Sequence, residues 1–118
     1  MRWMLRSKIH KATVTEADLN YVGSITIDSE LTAKVGLFAG EKVLVTSNTT
    51  GKRLETYVIE GDPGSGVVCI NGAASHQIKQ GEEIIIMGFE LTNHPESIEP
   101  KIILLEMING KNKFKAYI

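Results

Sequence analysis

Short β-type runs cut by turn-forming residues are the feature of this sequence that most limits its fold. Three groups of chain-breaking residues stand out, at Asn48-Thr49-Thr50-Gly51, Asp62-Pro63-Gly64-Ser65-Gly66 and Gln80-Gly81. The segments between them are rich in Val, Ile and Thr, and the longest apolar segment runs only from Glu83 to Thr92. Such punctuation predicts a mainly β protein of short strands rather than a helical bundle.

About seven strands are predicted, with one or two short helices. Asp28 is placed to cap a helix over residues 29–35 that ends near Gly36, and the chain takes a turn at 71–74 that has helical character. Because closing a sheet removes exposed strand edges, the pattern favours a small closed barrel. Residues 16–23 are a predicted loop and residues 109–115 a mobile or interfacial tail. The predicted strands cover 4–15, 24–28, 42–46, 53–59, 67–70, 83–92 and 102–107.

Size, charge and cysteine content narrow the class of protein. The 118 residues suit a single domain over 1–118, small enough that oligomerisation would help to bury apolar surface. A net charge of −1 argues against a dedicated nucleic-acid binder, and no apolar run approaches the roughly 18–20 residues that span a bilayer. A single cysteine, Cys69, excludes an internal disulfide. Without a signal-peptide stretch at the N-terminus, the predicted location is cytoplasmic.

Four motifs, which follow one another in register between Met4 and Ala74, carry a resemblance to a known family that covers roughly residues 4–92. They are Met4-Leu5-Arg6-Ser7-Lys8-Ile9-His10, Tyr21-Val22-Gly23-Ser24, Gly51-Lys52-Arg53-Leu54-Glu55-Thr56-Tyr57 and Asn71-Gly72-Ala73-Ala74. Together they resemble the bacterial pyruvoyl-dependent aspartate 1-decarboxylases. The resemblance implies a small double-psi β-barrel, a homotetramer, and production of β-alanine from L-aspartate for pantothenate and coenzyme A.

The same resemblance implies that the chain cuts itself between Gly23 and Ser24, giving fragments 1–23 and 24–118. The Ser24 hydroxyl would attack the Gly23 carbonyl and turn the peptide into an ester. Loss of the Ser24 Cα proton then expels the Gly23 carboxylate, and hydrolysis leaves a pyruvoyl group. We expect Gly23 to help because glycine reaches backbone angles closed to other residues. The family pattern assigns support to Tyr21, Thr56 and Asn71.

Substrate binding is expected on the segment that follows Gly51-Lys52. Arg53 and Tyr57 are four residues apart, so a strand would place both on one face. Arg53 suits a substrate carboxylate, and we favour the side-chain carboxylate because gripping the departing one would stabilise the ground state. Tyr57 is the expected proton donor. Thr56 has the opposite parity, so a bulge or a neighbouring subunit is needed to bring it close.

Further site residues rest on the family pattern alone. It implies Lys8 near the substrate, His10 near the pyruvoyl group, and close backbone contacts from Gly72, Ala73 and Ala74. Without the motifs, Lys8 would be a solvated charge, His10 and Tyr57 structural residues and Arg53 a surface arginine. His76 and His94 lack partners at metal-ligand spacing, so neither a metal nor pyridoxal phosphate is predicted.

Three other readings stay open at the level of sequence. The chain could be a non-enzymatic β-barrel such as a swapped-hairpin DNA-binding domain, although its basic residues are scattered. It could be an uncleaved scaffold with the family fold, or a pyruvoyl decarboxylase for another amino acid. Whether cleavage is spontaneous or needs a maturation helper protein also stays open.

Overall fold

Nine strands and one α-helix form the protein in a computed structural model that describes residues 1–118. The helix α1 spans Ser29–Val35, and short 3₁₀ turns lie at Gly72–His76 and Pro95–Ser97. The predicted mainly β fold with one or two short helices is confirmed. The strands are β1 Arg2–Thr13, β2 Glu16–Asp18, β3 Ser24–Asp28, β4 Lys42–Ser47, β5 Arg53–Gly61, β6 Val68–Asn71, β7 Glu83–Thr92, β8 Lys101–Ile108 and β9 Lys111–Tyr117.

The strands make one mixed sheet in the order β2-β6-β3-β5-β4-β7-β1-β8-β9. Three neighbouring pairs are parallel, namely β1 with β8, β2 with β6 and β3 with β5. The sheet curls so that its two ends meet, since the Asn112 amide on β9 donates to the Gly66 carbonyl just before β6 at 3.1 Å. Inside lies a core of 18 buried apolar residues, of which Ile9, Ile25, Ile70, Ile84 and Ile86 are fully buried.

Asp28 fixes the start of the helix, as its position in the sequence predicts. Its Oδ1 accepts a hydrogen bond from the Glu30 amide at 2.9 Å, and Gly36 ends the helix in the left-handed conformation with φ 73°. Asp28 also accepts from the amides of Gly64 and Gly66 at 3.1 and 2.8 Å. One buried carboxylate therefore joins the helix start to the loop before β6.

The prediction of a mobile tail is wrong, because residues 111–117 form β9 against β8, whereas an interfacial role for this segment stays a prediction. Asn112 is buried, and its side chain bonds to both backbone groups of Thr13 and to the Gly66 carbonyl at 2.8–3.0 Å. Phe114 packs edge-to-face on Tyr117 with ring centroids 5.2 Å apart. The alternation of lysines with other residues along this segment marks a strand edge rather than a disordered tail.

The predicted loop over 16–23 is partly wrong as well. Residues 16–18 form β2, which pairs with β6 so that Asp18 lies opposite Asn71. Its three residues are too few to show a period in the sequence. No helix in the structure is both long and apolar enough to cross a membrane.

Candidate active site

Ser24 opens β3 at the point where an exposed segment enters the core. Residues 21–23 are exposed, whereas Ser24 is buried with 1% of its surface accessible. Its Oγ donates a hydrogen bond to the Val22 carbonyl at 2.8 Å and accepts one from Asn71 Nδ2 at 2.9 Å. The predicted nucleophile therefore sits in a buried, hydrogen-bonded position on the residue that follows the Gly23 carbonyl.

Asn71 is held by a row of polar side chains on one face of the β3–β6 pair. Ser24 lies opposite Asn71 and Thr26 opposite Cys69 in this antiparallel register. Asn71 Nδ2 also donates to Thr26 Oγ1 at 2.9 Å, and the Cys69 thiol donates to Asn71 Oδ1 at 3.0 Å. Thr26 and Cys69 also belong to this site and were not predicted from the sequence. Each lies two residues from a predicted member, so the period of a strand was a signal for both.

Burial keeps the Cys69 thiol protonated. Burial, together with the nearby carboxylates of Glu16 and Asp18, raises the pKa of Cys69 to about 11. The thiol therefore stays a donor and holds the Asn71 amide with its nitrogen toward the two hydroxyls. Beside this row lies a cleft of about 180 Å³, lined by Glu16, Asp18, Tyr21, Thr26, Val67, Cys69 and Asn71.

The turn after β6 packs directly against the predicted cleavage site. Gly72 has φ +73°, and a Cβ added there would lie 2.7 Å from the Gly23 Cα. Gly23 itself is not in the left-handed region, and a Cβ added to it meets nothing within 4 Å. Gly23 therefore does not use glycine-only backbone angles in this uncut conformation, and its help in the cleavage step stays a prediction.

Arg53 and Tyr57 share the exposed face of β5, as their spacing predicts. Val58 pairs with Ile25 in the parallel β3–β5 ladder, so Tyr57 lies level with Ser24 on the neighbouring strand. Thr56 points to the other face and makes no side-chain hydrogen bond to Ser24. The expected bulge at Thr56 is absent, because β5 pairs with β4 without a register shift from Arg53 to Tyr57.

Lys8 and His10 lie apart from this group. They flank the fully buried Ile9 on β1, and both are half-buried on the face that points away from the core. Three strands, β5, β4 and β7, separate β3 from β1 in the sheet. The His10 Nδ1 atom is buried and has no hydrogen-bond partner.

The remaining predicted residues follow Asn71 in the 3₁₀ turn, where Ala73 is exposed and Ala74 half-buried. Single-chain geometry thus joins Ser24, Asn71 and Gly72, with Tyr57 beside them. No group of three or more His, Cys, Asp or Glu side chains comes together in a way that could hold a metal ion.

Comparison with known proteins agrees with the motifs. A family model described as Aspartate decarboxylase matches residues 1–114. The chain belongs to the aspartate decarboxylase family. An aspartate 1-decarboxylase of Neisseria meningitidis is 50% identical over 99% of this chain and 91% of its own length. That of Bacillus subtilis is 48% identical over the same shares, and one of Listeria monocytogenes is 50% identical over 92% of this chain and 87% of its own.

The match to the family model extends past the last motif, which ends at Ala74, and past the resemblance over residues 4–92, to residue 114 in β9. It also agrees with the double-psi β-barrel that the motifs imply. Among solved structures, the rationally designed mkDPBB_sym1 protein covers 67% of this chain and 93% of its own at 20% identity, with a TM-score of 0.47.

Proposed function

We propose that this chain cuts its own Gly23–Ser24 peptide and then decarboxylates L-aspartate to β-alanine with the pyruvoyl group so formed. One observation carries the proposal: Ser24 is a buried hydroxyl at the start of β3, bonded to the Asn71 amide at 2.9 Å and preceded by an exposed segment. Membership of the aspartate decarboxylase family supports both the reaction and its place in pantothenate synthesis.

The cleavage needs only atoms of the chain and one water molecule. Ser24 Oγ bonds to the Gly23 carbonyl carbon, the Gly23–Ser24 C–N bond breaks, and the Ser24 amine is freed. The Ser24 Cα proton then leaves, and the Gly23 carboxylate departs from Cβ to give dehydroalanine. Water then adds to the imine form of dehydroalanine, the Ser24 nitrogen leaves as ammonia, and a keto group remains at the new N-terminus. Asn71 holds Oγ in place for the first step, through the bond that the Cys69 thiol orients.

The residues fit such a group, since Ser24 lies out of water and beside Asn71 and Thr26. When formed, the pyruvoyl group supplies an electron sink for the electrons left by carbon dioxide. Arg53 offers a guanidinium for the side-chain carboxylate of aspartate. Tyr57, level with Ser24 on the adjacent strand, is placed to return a proton to the substrate carbon.

Assembly into a homotetramer would complete the site. Three strands separate Lys8 and His10 from Ser24 in the sheet, so we infer that their predicted roles require another copy of the chain. The buried His10 Nδ1 without a partner supports a contact that a single chain lacks. A maturation helper protein and a cytoplasmic location stay predictions.

Mass spectrometry of the purified protein tests the proposal. We expect fragments 1–23 and 24–118, the larger beginning with a pyruvoyl group in place of Ser24. Ser24→Ala removes the attacking oxygen and should leave the chain intact and without β-alanine formation. Ser97→Ala, on an exposed turn, is the matched control and should mature normally. An active, uncut wild-type chain, or a product other than β-alanine, would contradict the proposal.

A further inference from the structure

The glycine that the cleavage site demands is Gly72 rather than Gly23. With φ +73°, Gly72 has a backbone conformation that residues with a Cβ rarely adopt. A Cβ there would lie 2.7 Å from Gly23 Cα, 2.9 Å from Gly23 N and 3.2 Å from the Tyr21 carbonyl oxygen. All three are backbone atoms, so none can swing aside as the end of a side chain can.

Other glycines show that this contact is specific to the cleavage site. Gly81 and Gly110 also have positive φ, at +90° and +77°, yet a Cβ added to either meets nothing within 4 Å. At Gly66 the close neighbours belong to Lys111 and Asn112, far along the chain from Ser24. Among the positive-φ glycines, Gly72 is the one whose missing side chain leaves room for the segment to be cut.

We infer that Gly72 is a positioning residue for self-cleavage, which lets Gly23 lie against the turn after β6 with its carbonyl beside Ser24 Oγ. This inference rests on the proposed function. Asn71, the preceding residue, holds Ser24 Oγ at 2.9 Å. Two consecutive residues therefore hold both sides of the scissile bond: the Asn71 side chain holds Ser24 Oγ, and the bare Gly72 backbone lies against the Cα and N of Gly23.

A side chain at position 72 would separate Ser24 Oγ from the Gly23 carbonyl. Ordinary contact begins at 3.4 Å, so Gly23 Cα would have to retreat from 2.7 Å by about 0.7 Å. Asn71 would still hold Ser24, and the misalignment would fall on the reacting atoms. A displacement of about 1 Å can cost on the order of 100-fold in rate.

Cleavage kinetics of freshly made precursor test the inference. We expect Gly72→Ala to cut about 100-fold more slowly than wild type. Gly81→Ala is the matched control, because it places a Cβ at positive φ in open space and should cut at the wild-type rate. Hydroxylamine at neutral pH cuts esters, so it should release fragment 1–23 from wild-type precursor and much less from Gly72→Ala; the mass of this fragment distinguishes it from products of cleavage at Asn71-Gly72 and Asn109-Gly110, which hydroxylamine attacks at alkaline pH. Because an unfolded chain would form no ester either, a thermal melt of Gly72→Ala accompanies this measurement.

Each outcome is decisive. Cleavage of Gly72→Ala at the rate of Gly81→Ala overturns the inference and leaves the proposed function standing. Wild-type chain that never cuts sinks the proposed function and the inference with it. If a thermal melt shows Gly72→Ala unfolded, Gly72→Asn replaces it, since asparagine tolerates the left-handed region while still carrying a Cβ. Slow cleavage of a folded Gly72→Asn supports the inference, and wild-type cleavage of it is the contrary result.

Discussion

At the scale of single residues, the site is a row of small polar groups at strand spacing. Ser24 lies opposite Asn71, and Thr26 lies opposite Cys69, on two antiparallel strands. The hydrogen bonds among these four short side chains fix the orientation of the Ser24 hydroxyl. Sequence predicts Ser24 and Asn71 through motifs. It could not predict the contact of Gly72 with Gly23, because that contact joins residues far apart in the chain and depends on the turn's exact backbone angles.

Removal of the Cys69 donor should slow cleavage. In Cys69→Val, Asn71 Oδ1 loses a hydrogen bond of about 1 kcal/mol, which is roughly a fivefold effect on rate. Because the pKa of Cys69 is about 11, the difference from wild type should be constant at neutral pH and up to about pH 9. Cys69→Ser keeps a donor and should cut faster than Cys69→Val. Denaturing gels measure the fraction of chain cut over time. Equal cleavage rates for Cys69→Val and Cys69→Ser would show that the hydrogen bond from the thiol does not contribute to cleavage.

Tyr57→Phe should separate maturation from turnover. The variant keeps Ser24, Asn71 and Gly72 and should therefore cut normally. Without the phenol, β-alanine formation should fall about 10²–10⁴-fold, the usual contribution of a positioned proton donor. Tyr117→Phe, another exposed tyrosine, serves as control and should leave turnover unchanged. Unaltered β-alanine production by Tyr57→Phe would remove Tyr57 as the acid.

At the scale of elements, local patterns predict most of the fold. The breakers at 48–51, 62–66 and 80–81 fall between strands as expected, and Asp28 caps α1. The strand β9 was not predicted from the sequence because the contacts that stabilise it join residues far apart in the chain. The strand is rich in lysine, and its buried anchor, Asn112, is a polar residue whose partners Thr13 and Gly66 lie far away in sequence.

Asn112→Ala should strongly destabilise the protein, although Asn112 lies on the edge strand β9. It leaves Thr13 N and Thr13 O without their side-chain partner and removes one of the two donors to Gly66 O, which keeps the Asn112 amide, at a cost of about 2–4 kcal/mol in free energy of unfolding. Lys115→Ala, exposed on the same strand, should change stability by no more than about 0.5 kcal/mol. Urea denaturation of the uncut Ser24→Ala background measures both. A loss below about 1 kcal/mol for Asn112→Ala would mean that β9 is held elsewhere.

At the scale of the whole molecule, one exposed surface remains without a partner. Trp3 is 68% exposed and pairs across β1 and β7 with Leu91, which is 42% exposed. Beside them lies a cleft of about 500 Å³ lined by Trp3, Glu41, Lys42, Val43, Leu44, Glu55 and Phe89. Exposed apolar surface of this kind marks a contact face, which agrees with the proposed homotetramer.

Trp3→Arg should weaken that assembly. A charge in an apolar contact must be desolvated without a partner, so the tetramer should give way to smaller species. Sedimentation should give the wild type a mass near four times the 13.0 kDa chain and Trp3→Arg a lower one. Phe38→Arg also changes an exposed aromatic residue, but outside the cleft, and should keep the wild-type mass. A Trp3→Arg protein of wild-type mass would show that this face lies outside the assembly.

The position of β1 determines how the proposed cleavage would affect unfolding and refolding of the protein. This strand pairs with both β7 and β8, and β2 pairs with β6, so the proposed fragment 1–23 would stay bound in the sheet after cleavage. Two pieces that separate on heating must find each other again in solution, and a ketone end cannot revert to serine. The cleaved protein would thus unfold irreversibly, and the rate of unfolding rather than the equilibrium free energy would set its lifetime.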